Sequence, residues 1–295
     1  MGVELGIMER KIGIYYAYWA DSWDEDFFPY ISKVKMLGFD QLEIQAASVL
    51  NLPADKRREL KAEADANGIT LSFGIGLTKD YDVSSLDESV RLRGVSFVHE
   101  LIKAVSSIDG RMISGTVHSY WPAVPPPGLT DKRPVREQSI KSMNELVKAA
   151  EDNDVVLNVE VINRFEQFLL NTSEEAVSYV EEVDSPNCRI LLDTFHMNIE
   201  EDSFADAIKT AAPYLSALHI GETNRKPPGC GRMPWAEIRK ALDDINFTGP
   251  LVMEPFIKPG GQVGRDISVW RDLMPGADLD AEAAKAVDFV RRELC

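Results

Sequence analysis

"CRILLDTFHMNIEEDSFADAIKTAAPYLSALHI", residues 188–220, decides the fold. It opens on a short apolar run, "CRILLD" (188–193), that stops abruptly at Asp193. "DSFADAIKTAA" (202–212) then carries its apolar residues at helical spacing, and "LSALHI" (215–220) is a second short β-rich run. Strand, helix, strand in this order is one unit of a parallel sheet with its helices outside.

The same rhythm extends both ways. Downstream come helix "PWAEIRKALDDI" (234–245), strand "PLVMEP" (250–255) and a last helix near 280–293. Upstream, strand "VVLNVEV" (155–161) precedes helix "SEEAVSYVEEV" (173–183). Further back, strands are expected at "KIGIYYAYW" (11–19), "DQLEIQA" (40–46), "ITLSFGIG" (69–76) and "RMISGTVHS" (111–119). Helical patterns follow them at 24–38, 54–68, 87–107 and 136–153, the first two closed by Gly38 and Gly68. Eight strand–helix pairs in about 290 residues predict an α/β fold, a single (β/α)8 TIM barrel over 11–295. An open doubly wound sheet would place a Gly-rich loop after the first strand, where this chain has aromatics. Residues 1–10 read as an N-terminal arm or a disordered end.

Bulk composition narrows the partners. The formal net charge is −16, which repels phosphate backbones and anionic membrane surfaces, so no nucleic acid and no membrane are expected. A small neutral molecule is the easier substrate. No segment approaches the ~20 apolar residues of a membrane span, and the start lacks the pattern of a secretory signal. The three cysteines, Cys188, Cys230 and Cys295, are odd in number and widely spaced, which fits ordinary thiols and a cytoplasmic location.

In a barrel of this kind chemistry sits at the C-terminal ends of the strands. Four successive expected strands end in Glu160, Asp193, His219 and Glu254. One charge at a strand end is usually only solvated; four of metal-ligand type aimed at one mouth form a candidate metal site. An oxygen-rich set with one nitrogen suits one hard or borderline divalent ion such as Mn²⁺, Mg²⁺ or Co²⁺, with zinc, which more often takes more nitrogen or sulfur, as a further alternative. Just downstream lie Glu166, His196 and Arg225; on their own Glu166 and Arg225 would read as a surface ion pair. Glu200, Glu201 and Asp202 read as helix-start acids. His99 reads as structural, and His118 beside Ser119 lacks the context of a serine triad. Tyr15, Tyr16, Trp19, Trp23 and Trp121 read as core packing or as a wall for the C–H face of a sugar.

Together "GIYYAYW", "MLGFD", "EVINRFE", "LLDTFHMNIEED", "HIGETNRKPPGCGRMPW", "VMEPF" and "GGQVGRDISVWRD" closely resemble the ketose 3-epimerases, the D-tagatose/D-psicose (D-allulose) 3-epimerase family. The stretch "GIGLTKDYDVSS" (74–85) is more similar to the tagatose branch. The resemblance implies metal-dependent epimerisation of free ketoses at C3. It makes Glu160, Asp193, His219 and Glu254 the metal ligands and Glu160 and Glu254 also the acid–base pair. It assigns Glu166, His196 and Arg225 to the O1–O3 end of the sugar, and Tyr15, Gly74, Trp121 and Phe256 to the pocket wall. It further implies a homodimer or homotetramer. The chemistry is coherent: a C3 proton α to the C2 ketone is removable, the charge on O2 needs a Lewis acid, and inversion needs carboxylates on opposite faces. The runner-up is an aldose–ketose isomerase of the same barrel, hydroxypyruvate-isomerase-like. A DNA-repair endonuclease of this barrel type would need several zinc ions and more than four histidines.

Overall fold

Short apolar runs flanked by amphipathic helices leave one economical solution, a ring of strands with every outer face covered. The structure is a computed structural model that describes residues 10–295. Its strands are β1 Ile12–Tyr15, β2 Gln41–Gln45, β3 Thr70–Leu77, β4 Met112–Tyr120, β5 Val156–Glu160, β6 Cys188–Asp193, β7 Leu215–Ile220 and β8 Leu251–Met253. Each pairs in parallel with the next, and β8 closes on β1. The long helices α1 Phe28–Met36, α3 Ala54–Asn67, α4 Glu88–Ser106, α5 Arg133–Asp152, α6 Ser173–Val183, α8 Phe204–Ala211, α9 Trp235–Asp244 and α11 Leu279–Leu294 form the outer layer, as the apolar spacing predicts.

Three short helices were not expected. α2 Ala46–Asn51 and α7 Thr194–Glu200 begin directly where β2 and β6 end, and α10 Gly261–Asp266 follows β8. Six or seven residues are too few to leave a helical period. β1 is also shorter than its aromatic run: the chain leaves the sheet after Tyr15 and makes a 3₁₀ turn over Tyr16–Tyr18. The expected arm lies outside the described residues except for Arg10. That side chain is buried, with its guanidinium 2.9 Å from the Phe247 carbonyl and 2.6 Å from Asp243.

The barrel interior is partly polar and hydrogen-bonded. Asn158 on β5 donates to Ser114 Oγ on β4 (3.0 Å) and accepts from Ser216 Oγ on β7 (2.5 Å). Gly115 on β4 has φ 120°, and a Cβ there would come within 2.2 Å of the Ile75 carbonyl oxygen, so β3 and β4 approach only through a glycine. Among the described residues no helix is long and apolar enough to cross a membrane.

Candidate metal centre and active site

Asp193 shows how the sequence builds the site. It is the last residue of β6 and the N-cap of α7: its Oδ1 accepts from the Phe195 backbone N–H at 2.6 Å. That bond holds the carboxylate still and leaves Oδ2 to face the barrel mouth. Glu160 ends β5, His219 stands one residue before the end of β7, and Glu254 follows β8 directly. Asp193 and His219 are register partners across the β6–β7 ladder. One ligand atom from each of Glu160, Asp193, His219 and Glu254 lies within 4.8 Å of all the others.

These groups are buried, and burial is the largest single influence on each proton affinity, although neighbouring charges outweigh it together at two of the four. It holds the Glu160 carboxyl well above the ordinary range, with Glu254 adding to the rise. Burial likewise lifts Glu254, to about 7, against the pull of His219 and Arg225. At Asp193 burial is outweighed by Arg225, His196 and His219, and the carboxyl stays below its usual value. His219 is pushed up to about 10: burial opposes its charge, but Glu43 and Glu254 overcome it. Neither ring nitrogen of His219 makes a well-aligned hydrogen bond: Nε2 stands 3.0 Å from Glu43 Oε1 as a close ionic contact, and Nδ1 faces Glu254 at 3.6 Å and Glu160 at 3.9 Å. Three clustered carboxylates around an unpartnered imidazole nitrogen are the donor set a divalent cation requires, so the residues fit the metal expected from the sequence.

A cavity of about 580 Å³ opens beside the cluster, and Tyr15, Gly74, Trp121, Glu166, His196, Arg225 and Phe256 all line it. Glu166 is no surface ion pair. It accepts from Trp121 Nε1 (3.0 Å) and Asn163 Nδ2 (2.8 Å), and although burial opposes its charge, His196 and Arg225 keep its carboxyl low. Nor is Arg225, which donates to Asp193 Oδ2 at 3.0 Å and Glu254 Oε2 at 2.9 Å. Its guanidinium stacks 4.0 Å above Phe195. His196, on α7, is fully buried, which pushes its pKa down to about 4. Asn163 holds its Nδ1 at 2.7 Å. Of the five aromatics singled out, Tyr15, Trp23 and Trp121 line the cavity. Tyr16 packs on Phe27 and Trp19 on Tyr30, so for those two the packing reading holds.

The sequence reading missed Glu43, Gln45 and Asn163. Glu43 and Gln45 line the cavity from β2, and Asn163 bridges Glu166 and His196. A glutamate inside the strand "DQLEIQA" was the available signal. Glu222, by contrast, is structural: it is fully buried and accepts from Gly229 N, Met233 N and Trp235 Nε1, ordering the loop after β7.

The family model for the xylose isomerase-like TIM barrel matches residues 31–291. The D-psicose 3-epimerase of Ruminiclostridium cellulolyticum is 49% identical over 285 residues, 95% of this chain and 97% of that protein. The chain belongs to the ketose 3-epimerases of this barrel family. It is an enzyme of the isomerase class. A solved D-psicose 3-epimerase in the presence of D-fructose superposes with a TM-score of 0.93 at 45% identity, covering 96% of this chain and 99% of that one. The D-psicose 3-epimerase from Clostridium cellulolyticum with D-tagatose gives 0.94 at 48%, with coverage of 96% and 99%. The similarity over the whole chain is thus to proteins named for psicose, where the stretch 74–85 alone leaned towards tagatose.

Proposed function

We propose that this ketose 3-epimerase interconverts free ketohexoses epimeric at C3, D-fructose with D-psicose and D-tagatose with D-sorbose. The observation that carries this is the convergence of two glutamates, an aspartate and a histidine on one cavity of suitable size. Glu160, Asp193, His219 and Glu254 would hold one divalent cation, Mn²⁺ first and Co²⁺ or Mg²⁺ as alternatives. Bound there, the ion supplies Lewis-acid stabilisation of the negative charge on the substrate's O2.

The chain's own residues do the rest. One of Glu160 and Glu254 takes the C3 proton as the C3–H bond breaks and its electrons move toward the C2 carbonyl. The other delivers a proton to the opposite face of C3, restoring the ketone and inverting the centre. Proton exchange with water resets the pair. With no cation bound, burial holds both carboxyls above their ordinary range; in the reaction each alternately holds and releases a proton. Arg225, His196 and Glu166 bind and orient the O1–O3 end. Tyr15, Gly74, Trp121 and Phe256 present mainly apolar surface to the distal carbons, where discrimination is weak, roughly 10–200-fold per small group.

The test is incubation of chelated and Mn²⁺-reloaded protein with D-fructose, D-tagatose, D-sorbose and L-ribulose, with chromatography of the products. C3 epimers of several ketoses, lost on chelation and restored by Mn²⁺, are expected. Aldoses would move the assignment to the aldose–ketose isomerases, and full activity in metal-free protein would refute the metal role. A homodimer or homotetramer in the cytoplasm completes the proposal. Its three unpaired cysteines support the location, and light scattering tests the assembly.

A further inference from the structure

Glu43 sits in the middle of β2, 2% exposed, and the reaction as derived does not use it. A buried carboxylate needs partners. Among the described residues no lysine or arginine pairs with Glu43; its ionic neighbour is His219, reached across the barrel from β2 to β7. Glu43 Oε1 lies 3.0 Å from His219 Nε2. The other ring nitrogen, Nδ1, faces Glu254 and Glu160. The imidazole is therefore held between Glu43 on one side and two proposed ligands on the other.

Glu43 is itself fixed. Its Oε2 accepts from Ser72 Oγ at 2.9 Å, and that hydroxyl accepts from Gln41 Nε2 at 2.8 Å. All three side chains are buried. On β1, a Cβ at Gly13 would meet Gln41 Cβ at 3.1 Å, so the glycine gives Gln41 its room. The row Gln41–Ser72–Glu43–His219 runs through the polar interior and ends at the proposed metal centre.

We propose that Glu43 is a positioning residue for His219. Its Oε1, 3.0 Å from Nε2, is placed to take the Nε2 proton once the imidazole turns onto a cation, which fixes the tautomer whose Nδ1 lone pair faces Glu160 and Glu254 and makes that nitrogen a better donor. Carboxylate partners of ligating histidines act in this way in metalloproteins generally. The inference rests on reading the four-residue cluster as the metal site.

The test measures the Mn²⁺ dissociation constant by electron paramagnetic resonance for the wild type, Glu43→Ala, Glu43→Gln and Ser72→Ala, alongside each metal-free melting temperature. Glu43→Ala should weaken Mn²⁺ binding about 100-fold. Glu43→Gln, which keeps an acceptor but no charge, should weaken it about tenfold. Ser72→Ala, which only frees the carboxylate, should fall between the wild type and Glu43→Gln. A filler role would lower the melting temperatures and leave the constants alone, and that result overturns the proposal. Should Glu43→Ala fail to fold, unchanged constants in the other two variants overturn it equally. A wild type that binds no Mn²⁺ would instead refute the metal site, and the proposal with it.

Discussion

Arg225 holds a left-handed backbone conformation, φ 62°, and its guanidinium spans Asp193 and Glu254. With His196 it is the nearest set of donors to the proposed metal cluster without belonging to it. Arg225→Ala and His196→Ala should each cut kcat/KM roughly 10²- to 10³-fold while metal content, measured by elemental analysis, stays near one ion per chain. Loss of the metal instead would make that residue part of the ion's shell. His118 bears on the pH dependence of stability rather than on chemistry. It lies on β4, its ring against Tyr179, fully buried, with both ring nitrogens unpartnered. Burial pushes its pKa down from 6.5 to about 3. The unfolded chain then binds the extra proton, so His118's contribution is present above pH 6.5 and is lost as pH falls toward 3. Between pH 7 and pH 5 it should cost about 2 kcal/mol of unfolding free energy. In His118→Gln that share of the acid slope should vanish in urea titrations at the two pH values; an unchanged slope would mean that the imidazole is charged in the folded state.

At the level of elements, the eight strands and long helices are legible because alternation of short apolar runs with helical periods is a repeated signal. The four ligand candidates are legible for a related reason: each is an abrupt charge at the end of an apolar run. Glu43 carried the opposite signature, a charge inside a run, and only the closed ring shows that it faces His219. The short α7 left no period, yet its start was written in Asp193. That residue makes an element-scale prediction. Asn caps a helix about as well as Asp, whereas Ala does not, so metal-free Asp193→Ala should be less stable than Asp193→Asn by about 1 kcal/mol. Both variants should lose metal affinity together. Calorimetry with metal titration checks this, and equal stability of the two would remove the capping role.

The whole molecule brings residues more than 90 positions apart, Glu160 and Glu254, to one mouth, because β5 and β8 are three strands apart in a closed ring. No local stretch contains that relation; it follows from closure, which the count of eight strands made expected. The central claim is that these two carboxylates serve opposite faces of C3. Replacing either with Gln keeps an oxygen donor and removes the proton carrier, and net epimerisation should fall by several orders of magnitude. The remaining carboxylate can still remove and return a proton on its own face. The decisive measurement is NMR of substrate recovered from D₂O after incubation with Mn²⁺-loaded Glu160→Gln or Glu254→Gln. The account predicts that each variant exchanges the C3 hydrogen of one epimer without inverting it, and that the two variants choose opposite epimers. Exchange of the same epimer by both, or epimerisation by either at the wild-type rate, would contradict it.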